Sequence, residues 1–282
     1  MVTFPGNRTL PSLGLGTWRM GESAPRRKRE VAAVRAAIDM GWRVIDTAEM
    51  YGEGGAEGVV GEAIADALRA GAVTRDELFV VSKVYPHNAG ARAAVAACER
   101  SLQRLGLDHL DCYLLHWRGE VPLEETVDAF ERLRERGRIR AWGVSNFDVA
   151  DMDELLAVAG GDRCATNQVY YSLSARGPGF DLVPWLQSCN VVTMAYSPID
   201  QGALAANKAL AAISERRGWT AAQLALAWLV AQQGVLAIPK ATSEAHLREN
   251  LAVRDLELDD AERAALDRAF PPPRRKTPLK MI

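Results

Sequence analysis

The chain alternates short apolar runs with longer segments of helical periodicity, and this alternation restricts its fold more than any other feature. The eight runs are rich in β-branched residues and apolar on both alternations, as expected for strands buried on both faces. Successive runs start between 24 and 44 residues apart, which leaves room for one crossover helix after each strand. The runs cover residues 13–18, 44–48, 79–84, 110–117, 141–146, 165–171, 191–198 and 235–241.

Eight strands alternating with helices over about 250 residues match the size and rhythm of a (β/α)8 TIM barrel. The intervening segments carry helix signals, since Thr220 precedes one as an N-cap and Pro122, with Glu124 and Glu125, opens another. A doubly wound open sheet is the alternative, but it usually has a Gly-rich first turn, and the chain contains no GxGxxG. We therefore predict a single α/β barrel domain over residues 1–282.

Three additions to a minimal barrel are predicted. Residues 1–12 form a hairpin that turns at Pro5-Gly6-Asn7 and plugs one end of the barrel. The interval before the last strand holds a loop and two helical segments, and residues 259–270 form one more helix after the barrel closes. Three prolines end that helix, so residues 271–282 form a C-terminal tail. Its basic residues are most simply solvated, although the tail could fold over a pocket.

The composition excludes several classes of partner. Lys plus Arg is 34 and Asp plus Glu is 36, so the net charge of -2 provides no bulk attraction to nucleic acid or to an anionic membrane. No apolar segment is long enough to span a bilayer. The four cysteines lack zinc and disulfide spacing, and the four histidines lack metal-ligand spacing. We expect a cytoplasmic monomer that acts on a small molecule and uses no metal.

A polar or ionisable residue lies at or close to the end of each of the last seven apolar runs. In a βα barrel the carboxyl ends of the strands form the working face, so these residues are candidates for catalysis and binding. A strand must also end at a wet surface, and for any single position this interpretation stays open. Asp46, Lys83 and His116 follow or interrupt apolar residues, where burial shifts pKa values. The candidates are Asp46, Lys83, His116, Asn146, Gln168, Tyr196 with Ser197, and Lys240.

Tyr51, in a Gly-rich turn five residues after Asp46, adds a proton donor to this set. A free tyrosine has a pKa of about 10, which is too high for efficient proton donation at neutral pH. A neighbouring Lys83 ammonium would stabilise the phenolate and lower that pKa, with Asp46 paired to the lysine. Adjacent parallel strands lie about 4.8 Å apart, so these groups and His116 can converge. Together they predict a site that protonates an oxygen.

Three motifs make the chain resemble an aldo-keto reductase. Gly41-Trp-Arg-Val-Ile-Asp-Thr-Ala48 leading to Tyr51 resembles the first signature of that family, and Leu105 through Asp111-Cys-Tyr-Leu-Leu-His-Trp117 resembles the second. Ile238-Pro-Lys240 resembles the third. The resemblance implies that Asp46, Tyr51, Lys83 and His116 form a catalytic tetrad. It also implies a nicotinamide cofactor bound to a barrel without a Rossmann fold.

The resemblance further implies which residues bind substrate and cofactor. Tyr196 would stack on the nicotinamide, whereas Lys240, Thr242 and Ser243 would hold the adenosine 2′-phosphate. The implied substrate residues are Trp18, Tyr51, Tyr85, His116 and Trp117. The implied cofactor residues are Gly16, Thr17, Asp46, Ser145, Asn146, Gln168, Tyr196, Ser197, Pro198, Leu204, Ile238, Lys240, Thr242, Ser243, His246, Glu249 and Asn250.

Two positions depart from the pattern of the family. His246 stands where members that prefer NADP(H) usually have Arg, and a neutral His cannot form the bidentate contact that Arg offers a phosphate. The resemblance therefore implies NADP(H) as cofactor, with NAD(H) not excluded. Arg118 stands where Pro commonly follows His-Trp, and it is either a solvated side chain or a charge at the pocket mouth.

The expected function is NADPH-dependent reduction of small aldehydes or 2-oxoaldehydes. Asp46-Thr-Ala-Glu-Met-Tyr51 and Cys164-Ala-Thr-Asn-Gln-Val169 resemble most the short bacterial members of the methylglyoxal reductase type. Two alternatives stay open. Lys83 could form a Schiff base in an aldolase, or the chain could be a non-catalytic, nicotinamide-sensing regulatory subunit.

Overall fold

A computed structural model describes residues 1–4 and 8–282 and contains eight parallel strands that pair in chain order. The barrel closes where Leu13, ahead of the first barrel strand, pairs with Ala237 of the last, and the Gly14 N–H donates to the Ala237 carbonyl at 2.9 Å. The predicted α/β barrel is thereby confirmed. The barrel strands are β3 (Leu15–Gly16), β4 (Val44–Asp46), β5 (Phe79–Val84), β6 (Leu110–Leu115), β7 (Ile139–Ser145), β8 (Thr166–Tyr170), β9 (Val192–Tyr196) and β10 (Val235–Ala237).

The helices lie outside the barrel and cover its strands. The helices after β9 include the two that were predicted in the long interval and the one predicted after the barrel closes. Within the described residues, no helix combines the length and the apolar character that a membrane span requires. The helices are α1 (Ala24–Asp39), α2 (Gly55–Arg69), α3 (Ala93–Leu105), α4 (Leu123–Glu135), α5 (Val149–Ala157), α6 (Leu182–Ser188), α7 (Lys208–Ser214), α8 (Ala221–Val230), α9 (Glu244–Leu251) and α10 (Asp260–Ala269).

Side-chain caps explain where several helices begin. Thr220 and Gln223 form a capping box at the start of α8, in which each side chain accepts a hydrogen bond from the backbone N–H of the other. Asp259 and Glu262 do the same at the start of α10. Pro122 lies one position before α4, which places Glu124 and Glu125 in its first turn, where carboxylates favour the helix dipole.

Several strands are shorter than the apolar runs that predicted them. Only Leu15–Gly16 of residues 13–18 and Val235–Ala237 of residues 235–241 are paired as strands. Leu13 still bridges to Ala237, whereas the residues that follow Gly16 and Ala237 in these runs lie outside the strands. An apolar run indicates that its side chains are buried. Side chains stay buried beyond the last backbone hydrogen bond that pairs two strands.

A hairpin of β1 (Val2–Phe4) and β2 (Arg8–Leu10) precedes the barrel. Its inward-facing Val2, Phe4 and Leu10 join the cluster of side chains inside the barrel, where Phe4 lies 4.8 Å from the ring of Phe79. The hairpin therefore packs into the amino end of the barrel. The turn predicted at Pro5-Gly6-Asn7 lies outside the described residues.

Candidate active site

The ends of three neighbouring strands bring together the four predicted catalytic side chains. Asp46 ends β4, Lys83 lies one residue before the end of β5, and His116 directly follows β6. Tyr51 lies in the turn between β4 and α2, and its ring is 5.7 Å from the His116 ring in an edge-on arrangement. The predicted convergence is thus present in the structure.

The Lys83 ammonium lies at the centre of this group and is fully buried. Its Nζ donates to Asp46 Oδ2 at 2.8 Å, to the Thr47 carbonyl at 2.9 Å and to the Tyr51 hydroxyl at 3.0 Å. An ammonium has three N–H bonds, so each has one acceptor. The lysine is therefore fixed as a cation in contact with the phenol oxygen.

Burial and charge set the protonation states of the group. Burial lowers the pKa of Lys83, but the charge of Asp46 and the hydrogen bonds to Asp46 and Tyr51 outweigh it and raise the pKa overall. Burial and the Lys83 charge hold the pKa of His116 well below its usual range. At neutral pH the site therefore contains an ammonium and a neutral imidazole.

The Tyr51 pKa departs from the sequence-based expectation. Lys83 does favour the phenolate, but burial of the phenol is the larger effect, and with the charge of Asp46 it raises the pKa above the ordinary value. The expected lowering is therefore wrong for the protein alone. The physical reason is that a buried phenolate loses hydration, and one cation shared with Asp46 does not replace it. Tyr51 is accordingly a protonated donor at neutral pH.

A second polar group lies beside the first, on the strands that follow. The Gln168 amide donates to Asp46 Oδ1 at 2.8 Å, and the Ser145 hydroxyl donates to the Gln168 carbonyl at 2.8 Å. The Tyr196 hydroxyl donates to Asn146 Oδ1 at 2.9 Å. These hydrogen bonds fix the positions of amide and hydroxyl groups in the cavity wall beside Tyr51.

One elongated cavity of about 480 Å³ joins these groups to the outer loops of the carboxyl end. Tyr51 and His116 face it, with Trp18 and Trp117 as aromatic walls. Most of the residues implied by the resemblance line the cavity. They are Gly16, Trp18, Tyr51, His116, Trp117, Ser145, Asn146, Gln168, Tyr196, Ser197, Pro198, Ile238, Lys240, His246, Glu249 and Asn250.

The other implied residues lie around the cavity without lining it. Asp46 and Lys83 are buried behind Tyr51, and the Thr17 hydroxyl donates to the Asp46 carbonyl at 2.9 Å. Leu204 is buried in the main core. Thr242 and Ser243 precede α9, and Ser243 accepts the His246 N–H at 3.3 Å.

Tyr85 is a substrate residue in the sequence-based prediction, but it does not line the cavity. Its ring packs edge-on against Trp117, with ring centres 5.9 Å apart, and stacks on His87 at 4.8 Å. Its hydroxyl points to Glu53 at 3.2 Å. Tyr85 therefore supports the Trp117 wall from behind. Arg118 is also turned away, since its guanidinium pairs with Glu154 at 2.9 Å.

Sequence reasoning missed a part of the cavity wall. The resemblance already implies the loop after β9 as far as residue 204, at the pyrophosphate of the cofactor, but the end of the tail contributes residues that no signature motif includes. Both regions approach the cavity from the outside of the barrel. Ile199, Gln201 and Gly202 of the lining lie within the implied residues 197–204, and the lining residues outside the sequence-based prediction are Arg19, Met50, Ala205, Ala222, Met281 and Ile282.

A parallel barrel whose buried lysine contacts a tyrosine and an aspartate, with a histidine ring beside that tyrosine, defines an oxidoreductase-type site on a TIM barrel. The sequence model of the aldo/keto reductase family matches residues 12–270, and the chain belongs to this family. It is 51% identical to the methylglyoxal reductase YeaE of Escherichia coli, over 100% of this chain and 99% of that protein. It is 35% identical to a glyoxal reductase of Bacillus subtilis, over 92% of this chain and 88% of the relative.

Solved structures agree with this assignment. The crystal structure of an aldo/keto reductase from Klebsiella pneumoniae in complex with NADP and acetate has a TM-score of 0.95 and 51% identity, covering 100% of this chain and 99% of its own. The thermostable aldo-keto reductase Tm1743, solved with the inhibitor epalrestat, has a TM-score of 0.88 and 37% identity, covering 95% and 98%.

Proposed function

We propose that this protein reduces small aldehydes and 2-oxoaldehydes, such as methylglyoxal, to alcohols with NADPH. The observation that carries the proposal is the 3.0 Å contact between the buried Lys83 ammonium and the hydroxyl of Tyr51, which faces the cavity. The relatives named methylglyoxal reductase and glyoxal reductase, and the relative crystallised with NADP, support the substrate class and the cofactor.

The cavity fits a long, anionic cofactor. It runs from the polar group of Asn146 and Gln168 to Lys240, and a lysine is a suitable partner for a phosphate. Tyr196 offers an aromatic face beside the polar group. The bound cofactor would supply a hydride to the carbonyl carbon of the substrate.

The residues of this chain would supply the proton and the orientation. The Tyr51 O–H donates its proton to the carbonyl oxygen as that oxygen gains negative charge, and the Lys83 ammonium stabilises the phenolate that remains. The neutral imidazole of His116 faces the same cavity and orients the carbonyl oxygen. Asp46 holds the lysine in its charged form. Trp18 and Trp117 exclude water and accept a small apolar substrate between them.

Two other activities fit the site less well. A Schiff-base aldolase needs a neutral amine that can attack a carbonyl carbon. All three N–H bonds of Lys83 are used, and its pKa is raised. A regulatory subunit would have no use for a proton donor set between a buried cation and a substrate-sized cavity.

We also propose that the protein acts as a cytoplasmic monomer without nucleic-acid partners. The near-neutral charge supports the last point. Among the described residues, all four cysteines are free, as a reducing compartment would keep them. The exposed large apolar side chains of that part are Met1, Phe180, Met281 and Ile282, too few for an obligate interface. Light scattering of the purified protein would test the monomer.

Replacement of Tyr51 by Phe tests the proposed reaction. Loss of the phenol proton should lower kcat for methylglyoxal by about 10²–10⁴-fold, followed as loss of NADPH absorbance. Binding of NADPH, measured by calorimetry, should stay within about twofold of that of the unmodified protein. Retention of most of the activity in Y51F would contradict the role of Tyr51.

A further inference from the structure

The last residues of the chain cross the carboxyl face of the barrel and reach the active-site cavity. We call residues 276–282 the C-terminal strap. At its start, Lys276 Nζ lies 3.1 Å from Asp148 Oδ2, at the start of α5. At its end, Met281 and Ile282 line the cavity that contains Tyr51.

Between these two ends, the strap packs closely on the barrel loops. A Cβ built on Gly177 would lie 2.5 Å from Thr277 Oγ1, which shows how closely the strap passes this glycine. Leu279 is partly buried and packs against the main core. Leu279 therefore anchors the strap on the core, while the neighbouring strap residues stay largely exposed at the surface.

A single ion pair fixes the strap next to the cavity. Lys280 Nζ donates to Asp200 Oδ1 at 3.0 Å and lies 4.4 Å from the centre of the Tyr170 ring. The Tyr170 hydroxyl also donates to Asp200 Oδ1, and the Ser174 hydroxyl donates to Oδ2 at 2.8 Å. Asp200 thus joins the strap, the end of β8 and the loop after β9.

The backbone that carries Asp200 is strained. Asp200 and Gln201 have φ values of 49° and 54°, in the left-handed region that residues with side chains avoid. Ser197, in the same loop, has a φ of 49°. Such a conformation persists where its surroundings hold it, and the three donors to Asp200 are contacts of that kind. Lys280 therefore supports the loop as well as the strap.

This loop and the strap form adjoining parts of one cavity wall. Ile199, Gln201 and Gly202 of the loop line the cavity together with Met281 and Ile282 of the strap. A substrate larger than the space beside Tyr51 must displace one of the two. Because Lys280 and Asp200 connect them, displacing the strap breaks this ion pair.

We propose that Lys280 is a positioning residue that holds Met281 and Ile282 against the cavity through Asp200, and that these two side chains limit the size of the carbonyl substrate. The inference rests on the proposed reductase function and specifies its substrate range. It predicts that the enzyme prefers carbonyl compounds with a small group beside the reacting carbonyl. The ion pair sets this size limit, and salt can weaken the ion pair.

The test compares two 2-oxoaldehydes that differ only in the group beside the reacting end, methylglyoxal and phenylglyoxal. In Lys280→Met, kcat/KM for phenylglyoxal relative to that for methylglyoxal should rise about threefold to fivefold, the range open to a half-exposed ion pair. Most of the change should lie in KM for phenylglyoxal, since the reacting groups are untouched. Deletion of Met281 and Ile282 should raise the ratio further.

Asp200→Asn tests the connection itself, because Asn adopts a left-handed backbone, its amide oxygen still accepts from Tyr170, and its amide NH2 can donate to the Ser174 hydroxyl. D200N should raise the ratio of kcat/KM for phenylglyoxal to that for methylglyoxal as K280M does. The double variant K280M/D200N should raise this ratio no further than either single variant. Concentrated KCl should raise the ratio in the unmodified protein and leave it unchanged in K280M. Arg275→Met is the matched control, since Arg275 is an exposed tail residue without an ion pair among the described residues. It should behave as the unmodified protein.

An unchanged ratio in K280M, additive effects of K280M and D200N, or an equal effect of R275M would overturn the proposal. A readout without turnover separates this failure from failure of the reductase assignment. Carboxypeptidase Y should release Ile282 about threefold faster from K280M than from the unmodified protein or R275M, as followed by mass spectrometry. Equal release from all three would overturn the strap even in an active enzyme. Faster release from K280M in a protein that reduces neither aldehyde would leave the strap standing and reject the reductase function.

Discussion

The two ends of the barrel each bury a carboxylate against cations, but they use different cations. At the amino end, Asp111 of β6 is fully buried and pairs with the guanidinium groups of Arg8 and Arg75. At the carboxyl end, Asp46 pairs with Lys83 at 2.8 Å. Arginine is a fixed cation that spans elements with a rigid fork, whereas lysine is a point charge that can influence a proton beside it.

The surroundings of the two carboxylates complete the contrast. Asp111 also accepts the Val80 N–H at 2.9 Å, and Arg8 comes from the hairpin, so this group ties the hairpin to the barrel strands. Asp46 and Lys83 instead adjoin Tyr51 and an open cavity. The difference teaches that similar buried ion pairs hold the fold together at one end and prepare chemistry at the other.

The largest expected effect comes from breaking the carboxyl-end pair. Lys83→Met keeps the shape of the side chain but removes the ammonium that stabilises the Tyr51 phenolate. We expect kcat/KM for methylglyoxal to fall by about 10²-fold or more. K83M also leaves Asp46 buried without its cation, so the double variant K83M/D46N should recover the melting midpoint but not the activity. Recovery of activity in the double variant would show that the lysine acts only through folding.

Breaking the amino-end pair should lower the stability of the protein and leave its activity unchanged. Asp111→Asn keeps the side-chain volume and an acceptor for Val80 but leaves two arginines without a counter-charge. We expect a loss of about 2 kcal/mol in the free energy of unfolding, since the arginines are themselves partly exposed. Urea titration would measure it, and kcat/KM should stay unchanged at a temperature where the variant is folded.

Asp76→Asn is the matched control for that experiment. Asp76 pairs with Arg140 at the same end of the barrel, but its side chain is largely exposed. Its pair is solvated, so the urea midpoint should not move. An equal loss of stability in both variants would assign the effect to net charge and not to the buried position.

The same contrast explains which parts of the molecule could be predicted from the sequence. The barrel and the ends of its strands follow from period and spacing, because buried parallel strands must be apolar and their ends must be polar. Asp46, Lys83 and His116 were therefore identifiable as neighbours. That Tyr85 packs against Trp117 and does not line the cavity could not be foreseen, because this contact depends on how two loops meet.

The sequence left open whether the tail is solvated or folds over a pocket, because the position of the strap depends on residues distant in sequence. Lys280 meets Asp200 across 80 positions, and neither lies in a periodic segment. The direction of the Tyr51 pKa was missed for a related reason. A neighbouring charge is visible in a motif, whereas the burial that outweighs it is a property of the finished fold.

A smaller effect is expected far from the reacting groups, at the outer end of the cavity. His246 lines the cavity with Lys240, and His246→Arg would add a permanent charge there. We expect the ratio of kcat/KM for NADPH to that for NADH to rise about fivefold to tenfold, mainly through KM. Arg248→His is the control, because Arg248 pairs with Glu244 and does not line the cavity. An unchanged ratio in H246R would place the 2′-phosphate elsewhere.

The smallest expected effect concerns the pH dependence of kcat, because the catalytic groups at the carboxyl end do not titrate near neutral pH. The pKa values of Lys83 and Tyr51 are raised and that of His116 is well below 6.5, so none of the three changes charge between pH 6 and 8. The phosphate monoester of free NADPH itself titrates near pH 6, so the measurement uses saturating NADPH. Under that condition kcat should vary less than about twofold in this pH range. Stability should vary instead: unfolded His116 binds a proton below about pH 6.5 and the folded form does not, so acid favours unfolding. An inflection of kcat near pH 6.5 with no loss of stability would mean that His116 titrates normally and is not held neutral by burial.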